Sequence, residues 1–302
     1  MSDAGGRGHR KLGEAVAGYT FLSPFLTVLV LFAIWPLLRA FWLSFHSYDL
    51  FSPPRWVGLD NYRFLLGEAD FWISIKNTAL YTFVVVFAQT SLAIVLALVM
   101  DQKLRGKTFF RTAFFLPSVT SSVAISLIFM FLFFKNGVLN QFLAVTRLDV
   151  VLGWVGLTPP IDWLGDTRTA LFAIMAQNIW STAGFFMIIV LAGLQEIPDS
   201  LYEAARVDGA SPLQQFWYIT LPSLRPTIFY VVTMGLIGCF QVFDQVYVMT
   251  EGGPLKATLT TAYLLYKEAF VNFNMGYACA IAFVLAAIIF ATTMIQKRVM
   301  GE

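Results

Sequence analysis

Six windows of consecutive apolar residues, each long enough to cross a lipid bilayer as a helix, dominate the sequence. Crossing the hydrocarbon core takes about 20 helical residues, and the windows that reach this length are 19–45, 78–100, 110–134, 169–194, 227–249 and 275–295. The composition agrees, because 58% of the 302 residues are hydrophobic and 13% are charged, unlike an average soluble domain. The sequence therefore predicts an all-α membrane protein with six transmembrane helices.

Basic residues near the window ends indicate the orientation of the chain, because Lys and Arg resist translocation. One set of ends carries Arg7, Arg10, Lys11, Lys103, Arg105, Lys107, Arg111, Arg206, Arg225, Lys297 and Arg298. The opposite loops are longer and carry fewer basic residues. The first window lacks a small-residue cleavage site, so we expect it to be retained as a helix. We predict two cytoplasmic tails, 1–18 and 297–302, around a membrane domain at 19–296.

Charge and the placement of reactive side chains exclude several classes of function. The net charge is +2 without a long basic run, so the chain lacks the electrostatic footprint of a nucleic-acid-binding protein. Cys239 and Cys279 lie in apolar windows and His9 and His46 stand alone, so neither a metal site nor a disulfide framework is expected. No Ser/His/Asp set or carboxylate pair occurs within a window, and we expect a chain that is not an enzyme.

Segment 105–108, RGKT, ends like the phosphate-binding loop of nucleotide-binding proteins. That loop requires a glycine where Asp101 stands, and it follows a β-strand, whereas a membrane helix is predicted before this segment. A cluster of basic residues at a membrane boundary explains the sequence better. Nucleotide binding by this chain is therefore not expected.

Two charged residues lie inside the windows beyond the first residues of each window, Arg39 and Asp244. Arg39 is close to the outer end of its window, where its long side chain can reach the lipid headgroups. Asp244 is three residues from Gln241 and next to Gln245, so we expect these three on one helical face between two phenylalanines. Polar groups beside aromatic rings suit a sugar-binding surface, but they equally suit hydrogen bonds between helices.

The fourth window has a similar mixture of polar and aromatic residues. Gln177, Asn178 and Trp180 are followed by Gly184 and Phe185. A glycine within a membrane helix allows the backbone of a neighbouring helix to approach closely. The fourth and fifth windows are therefore the two candidate stretches for a polar path, with helix packing as the alternative role.

The segment 195–225, on the predicted cytoplasmic side, contains explicit helix start and stop signals. SLYE at 200–203 follows Pro198 and matches a capping box, and SPLQ at 211–214 matches a second one with proline at the first helical position. Gly209 lies between them, where the first helix must end. We expect a helix-turn-helix on the membrane surface. Its small residues suit either docking of another protein or a plain amphipathic contact with lipid.

Two stretches of this segment, EAARVDGA at 203–210 and ITLP at 219–222, resemble the EAA loop of bacterial ABC importer permeases. The similarity extends to GLDNY at 58–62, RTAFFLP at 111–117, GLQEIP at 193–198, FD at 243–244 and TEGGP at 250–254. From about residue 19 onward the chain is similar to the carbohydrate-importer branch of that family, specifically the maltose-type first permease.

The resemblance implies a type I ABC importer permease fold with a cytoplasmic coupling helix pair at 194–225, in the lipid of a bacterial inner membrane. It implies a complex with a second homologous permease, two ATPase subunits and an extracytoplasmic solute-binding protein. This chain would hold no cofactor, and ATP and magnesium would belong to the ATPase. Transport would proceed by alternating access driven by the partner's nucleotide cycle. Coupling is implied for Glu203, Ala204, Ala205, Asp208, Gly209, Ala210, Leu221 and Pro222.

The resemblance also implies a substrate path in the fourth and fifth windows, at Trp180, Gly184, Phe185, Phe240, Gln241, Phe243, Asp244 and Gln245. Cys239 and Val242 stand where the maltose permease has asparagines that hold the sugar, so that binding pattern is not reproduced. Glycerol-3-phosphate permeases share the six-helix plan, which makes a phosphorylated solute the alternative to a mono- or oligosaccharide. An ion-coupled secondary transporter would need its own coupling site, for which Asp244 alone is poor support.

Overall fold

The computed structural model describes residues 18–102, 105–147, 153 and 159–300. The N-terminal tail up to residue 17, Lys103 and the last two residues fall outside this description. Most of the described chain is helical. It divides into two units, one formed by Met1–Leu65 with Glu268–Phe283 and the other by Leu66–Lys267 with Val284–Glu302.

The first unit begins with helix α1 (Gly18–Leu43), which presents an open apolar surface along its length. Its hydrogen-bond ladder widens to a π turn at Val30–Ile34. This turn ends two residues before Pro36, whose missing N–H interrupts an α-helical ladder. Near the end of the helix the Arg39 guanidinium lies over the Trp42 ring, 4.2 Å from its centroid. A long apolar helix with all sides open is suited to lipid or to another membrane chain.

Side chains of the next helix along the chain satisfy backbone carbonyls just after the end of α1. The elements that follow α1 are the paired strands β1 (His46–Ser47) and β2 (Arg55–Trp56) and helix α2 (Asp60–Gly67). Asn61 Nδ2 donates to the carbonyl oxygens of Ser44 at 2.8 Å and His46 at 3.0 Å. The Tyr62 hydroxyl lies 2.8 Å from Ser44 Oγ. The GLDNY stretch thus caps the first membrane helix, whose last carbonyls have no partner within the helix.

The second unit is built around two long helices, α3 (Ala69–Asp101) and α7 (Ala170–Gln195), which pack against each other along much of their length. Between and after them the chain forms α4 (Lys107–Val119), α5 (Ser122–Phe133), α6 (Val138–Thr146), α8 (Asp199–Val207), α9 (Pro212–Ser223), α10 (Arg225–Phe240), α11 (Asp244–Met249), α12 (Thr261–Tyr266) and α13 (Met275–Met300). Helix α9 has a π-helical middle at Phe216–Thr220, and a π-helical turn at Lys267–Val271 follows α12. Helix α13 runs through 297–300, which the sequence assigned to the tail.

Small residues of α3 allow this close packing. Ala93 and Ala97 are completely buried against α7, where Met187 and Leu191 are completely buried as well. Leu224, at the junction of α9 and α10, is completely buried in the same apolar cluster. Helices in a membrane associate chiefly through such close contacts, because lipid removes the hydrophobic driving force between them.

Within the described ranges, four helices are long and apolar enough to cross a membrane unbroken: α1, α3, α7 and α13. The count reaches the predicted six when each of two bent helix pairs is one span. The pair α4 and α5 bends by 99°, and the pair α9 and α10 by 67°. The third window is therefore not one continuous helix. Pro117 removes one ladder hydrogen bond near the end of α4, and Thr120 and Ser121 then adopt non-helical backbone.

The fifth window is also interrupted, and this corrects the expectation that Gln241, Asp244 and Gln245 share one helical face. Helix α10 ends at Phe240, and α11 begins only at Asp244. The freed carbonyl of Val242 accepts a hydrogen bond from Thr260 Oγ1 at 3.1 Å. A membrane segment can leave the helical conformation only where such partners satisfy its backbone.

Candidate functional site

The helix-turn-helix predicted between the fourth and fifth spans is present as α8 and α9. The first capping box is wrong, because α8 begins at Asp199 and Ser200 lies inside it. Pro198 occupies the position before the helix with extended backbone, φ −62° and ψ 130°. Pro198 therefore takes the cap position, and the helix begins two residues earlier than a Ser200 cap would require.

The turn between the two helices depends on Gly209. Its φ is +78°, a conformation that only glycine adopts without strain. The Ala210 N–H donates to the Ala205 carbonyl at 2.9 Å, and the Asp208 N–H donates to the Ala204 carbonyl at 3.0 Å. These bonds satisfy the last carbonyls of α8 in the manner of a glycine C-cap, so the predicted turn is confirmed.

The second helix of the pair is held firmly to the first. The predicted capping box is confirmed, with Ser211 N–H donating to Gln214 Oε1 at 2.7 Å and Gln214 N–H donating to Ser211 Oγ at 3.4 Å. The hydroxyls of Tyr202 in α8 and Thr220 in α9 are 2.9 Å apart. Local caps and a bond between the helices therefore make 199–223 a hairpin that can move as one body. We call it the EAA hairpin.

The EAA hairpin exposes apolar side chains around its turn. Val207 and Leu213 are 87% and 68% exposed, and Glu203, Ala204, Asp208 and Gly209 are exposed as well. Ala205 and Ala210 are half-buried. Leu221 and Pro222 lie apart from these six, in the last turn of α9 beside the 67° bend into α10. Exposed apolar groups beside small residues are typical of a docking surface.

A pocket of about 350 Å³ lies beside the break between α4 and α5. Its wall includes Pro117, Ser118 and Thr120 from the break, Ser181, Thr182 and Phe185 from α7, and Gln245 from α11. We call it the break pocket. Its volume is within the range of small-molecule sites, and two of the residues predicted for a substrate path, Phe185 and Gln245, meet in it.

Gly184 brings α4 and α7 together beside this pocket. A Cβ added at Gly184 would lie 1.7 Å from the Phe114 carbonyl oxygen in α4. The close backbone approach expected at this glycine is therefore confirmed. The partner is α4, and the contact fixes the spacing of the two helices that supply most of the pocket wall.

Most hydroxyls of the break pocket are bonded to carbonyls of their own helices. Ser118 Oγ donates to the Phe115 carbonyl at 2.7 Å, and Thr120 Oγ1 donates to the Leu116 carbonyl at 2.9 Å. In α7, Ser181 Oγ lies 3.0 Å and Thr182 Oγ1 2.8 Å from the Asn178 carbonyl. Thr182 Oγ1 is also 2.8 Å from Oε1 of the buried Gln89 in α3.

Six of the eight residues predicted for the substrate path do not line the break pocket. Trp180 is half-exposed and contacts the Phe129 ring at 5.4 Å between centroids. Phe240 is buried at the end of α10. Gln241 lies in the break after α10, and Asp244 is exposed at the start of α11. The interruption after Phe240 separates Gln241 from Gln245, whereas Asp244 shares the short helix α11 with Gln245.

Phe243 belongs instead to a group of four aromatic rings. Its ring centroid is 5.4 Å from that of Tyr247 and 5.0 Å from that of Tyr266, and Tyr263 completes the group at 6.4 Å. Tyr247 is 43% exposed. The aromatic character that the sequence indicated is therefore present, but it lies on α11 and α12 and not in the wall of the break pocket.

The sequence reasoning missed the Ser and Thr residues of the break pocket. A signal was available: PSVTSS at 117–122 is a run of small polar residues inside an apolar window. Such residues compete with the helix for backbone hydrogen bonds, which favours a break.

The described residues that line the break pocket include no Asp, Glu, Lys, Arg or His. Outside the spans, Arg168 and Asp166 form an ion pair. The hydrogen bond from the Arg168 side chain, at 2.9 Å, holds the pKa of Asp166 below its ordinary value.

Comparison with protein families identifies this architecture. Residues 89–300 match the model described as binding-protein-dependent transport system inner membrane component. The chain belongs to this family. The matched range contains the EAA hairpin and all the residues named above as lining the break pocket.

Curated relatives match over nearly the whole chain. A probable ABC transporter permease protein, YesP of Bacillus subtilis, is 38% identical over 93% of this chain and 89% of its own length. The trehalose/maltose transport system permease protein MalF of Thermococcus litoralis is 33% identical over 96% of this chain and 95% of its own.

A solved structure shows the same fold. A chain of a bacterial ABC transporter involved in the import of the acidic polysaccharide alginate superposes with a TM-score of 0.79, covering 97% of this chain and 98% of that one. At 23% sequence identity this likeness concerns the fold. The type I ABC importer permease fold expected from the sequence is thereby confirmed.

Proposed function

We infer that this chain is a permease subunit of an ATP-driven importer that moves a sugar across the inner membrane by alternating access. The observation that carries this inference is the EAA hairpin, a rigid helix pair with an exposed apolar turn in a family of binding-protein-dependent transport components. The names of the relatives favour a sugar, since one of them is a trehalose/maltose permease. Both termini and the hairpin are assigned to the cytoplasmic side.

The partners are a second homologous permease, two ATPase subunits and an extracytoplasmic solute-binding protein. The ATPase binds ATP and magnesium and docks on the turn of the EAA hairpin. Glu203 and Asp208 offer charge there, and Ala204, Ala205 and Gly209 allow a close approach of the partner's surface. Ala210 supports the turn through its bond to the Ala205 carbonyl.

Movement of the hairpin reaches the break pocket through α10. Leu221 and Pro222 lead into the 67° bend, and the completely buried Leu224 fixes the start of α10 in the apolar core. Helix α10 has 16 residues, a length of about 24 Å. It ends at the break that precedes Gln245, whose side chain lines the pocket. A rigid hairpin thus has a continuous mechanical connection to the pocket wall.

Helix α13 is hydrogen-bonded to α10, the helix that follows the EAA hairpin. Gln296 donates through Nε2 to the Phe229 carbonyl at 3.0 Å and accepts from Thr233 Oγ1 at 3.0 Å. Arg225 Nε donates to the Met300 carbonyl at 2.9 Å. We expect the cytoplasmic half of α13 to follow α10 when the ATPase closes.

The test compares ATP-dependent solute uptake and ATPase retention for Gly209→Asp and Gly106→Asp. Both glycines have a φ of +78°, so the two variants carry the same kind of backbone strain. Gly209→Asp, and likewise Glu203→Lys, should lower the binding of the ATPase by at least about tenfold, or about 1.4 kcal/mol. Gly106→Asp should retain the ATPase. Strong co-purification of the ATPase with both hairpin variants would contradict the coupling assignment.

A further inference from the structure

Four hydroxyl groups in the wall of the break pocket already donate their protons to acceptors within the protein. A hydroxyl has one proton to donate and two positions to accept. Ser118, Thr120 and Ser181 each donate to a carbonyl of their own helix. Thr182 donates to the Asn178 carbonyl or to Gln89 Oε1. All four oxygens therefore face a ligand as hydrogen-bond acceptors.

The described residues that line the break pocket supply no positive charge beside these acceptor oxygens. None of them is Lys, Arg or His. A phosphate or carboxylate entering the pocket would lose its hydration without gaining a cation, and an unpaired charge is costly in such surroundings. Two lining side chains can still donate: the amide of Gln245 and the hydroxyl of Ser122, which has no acceptor among the described residues.

The helix ends beside the pocket do not supply the missing positive field. The first residues of α5 would attract an anion, because a helix N-terminus carries about half a positive charge. The C-terminus of α4 is adjacent, with Val119 ending α4 and Ser122 beginning α5. Its carbonyl groups carry the opposite partial charge, so the two ends largely cancel at the break.

We propose that the break pocket selects a neutral polyhydroxylated solute and rejects anionic ones, such as sugar acids or glycerol-3-phosphate. Sugar hydroxyls donate as well as accept, so they can satisfy the four acceptor oxygens. Ionised phosphates and carboxylates only accept, and the pocket wall offers them four acceptor oxygens against two donor side chains, Gln245 and Ser122. This inference rests on the proposed importer function and decides between the neutral and the phosphorylated solute that the sequence left open.

The test uses the whole importer, with its second permease, ATPase and binding protein, in proteoliposomes. A neutral pool contains oligosaccharides of glucose, arabinose and galactose, and an acidic pool contains glycerol-3-phosphate, oligogalacturonate and oligoalginate. ATP-dependent accumulation is measured by mass spectrometry. The neutral pool should accumulate more than about tenfold faster, because a site with mismatched hydrogen-bonding groups discriminates strongly.

Comparable or faster accumulation of the acidic pool would overturn this inference while leaving the importer assignment intact. Failure to accumulate either pool would contradict the importer assignment, and this inference with it. The two failures are therefore distinguishable.

Because the binding protein also selects the solute, a second arm changes the permease alone. Thr120→Val keeps the shape of the side chain and removes one acceptor, so the half-saturation constant for the neutral solute should rise severalfold. Thr293→Val is the matched control, since Thr293 makes the same kind of bond, to the Ile289 carbonyl at 2.8 Å, and does not line the pocket. Ser118→Ala replaces Thr120→Val if that variant does not assemble. An unchanged half-saturation constant in the pocket variant would overturn the inference.

Discussion

Replacing Gly184 by alanine should force α4 and α7 apart. The added Cβ would lie 1.7 Å from the Phe114 carbonyl oxygen and 2.5 Å from its carbonyl carbon. An ordinary carbon–oxygen contact is about 3.3 Å, so the two backbones must separate by roughly 1.6 Å. No rotamer change can relieve a clash with backbone, which places the cost near the upper end of overpacking, about 3 kcal/mol. The better helix propensity of alanine offsets about 1 kcal/mol.

The net expectation for Gly184→Ala is a loss of about 2 kcal/mol, which lowers the unfolding midpoint by a few degrees. Gly238→Ala is the matched control, because Gly238 lies in helix α10 and nothing lies within 4 Å of its added Cβ. That variant should be as stable as the parent or gain up to about 1 kcal/mol. Thermal unfolding of the assembled complex in one detergent measures both. Equal midpoints for the two variants would refute the close helix contact.

Three further perturbations follow from single contacts. Asn61→Leu removes both side-chain hydrogen bonds to the end of α1 and should destabilise the complex by about 1–3 kcal/mol, whereas the exposed Asn272→Leu should change the unfolding midpoint little. Gln296→Leu removes two hydrogen bonds between α13 and α10. The number of solute molecules transported per ATP hydrolysed should therefore fall, while the ATPase remains bound. Pairing with Arg168 lowers the pKa of Asp166. The stabilisation from this pair is therefore fully present above the ordinary carboxyl pKa of about 4, and it is lost as the pH falls through the lower pKa of the folded state. The exposed pair should contribute little, and Asp166→Asn should abolish that part of the pH dependence of the unfolding midpoint.

Local backbone chemistry made the EAA hairpin predictable from the sequence. Gly209 and the Ser211 capping box act within a few residues of their own position, and both behave in the structure as the sequence indicated. The expected Ser200 cap is absent because Pro198 begins the helix in its place. The two competing local signals, Pro198 and Ser200, occur two residues apart, and the sequence pattern does not rank them.

The break pocket was only partly predictable. Phe185 and Gln245 were singled out, and the run PSVTSS at 117–122 indicates the break after α4. The position of Gln245 beside that break, however, depends on distant contacts. Val242 leaves the helix where Thr260, 18 residues away, satisfies its carbonyl, and α4 meets α7 at Gly184. Periodicity within one window assumes a continuous helix, so it placed Asp244 and Gln241 with Gln245.

The central claim is that a partner ATPase grips the EAA hairpin on the cytoplasmic side. A single cysteine at Ala204, in a chain whose Cys239 and Cys279 are replaced by serine, tests it with a membrane-impermeant maleimide. Ala204 is exposed near the turn. The cysteine should react only when the reagent has access to the cytoplasmic face, and bound ATPase should protect it. Labelling of intact cells from outside, or reactivity unchanged by the ATPase, would contradict the account.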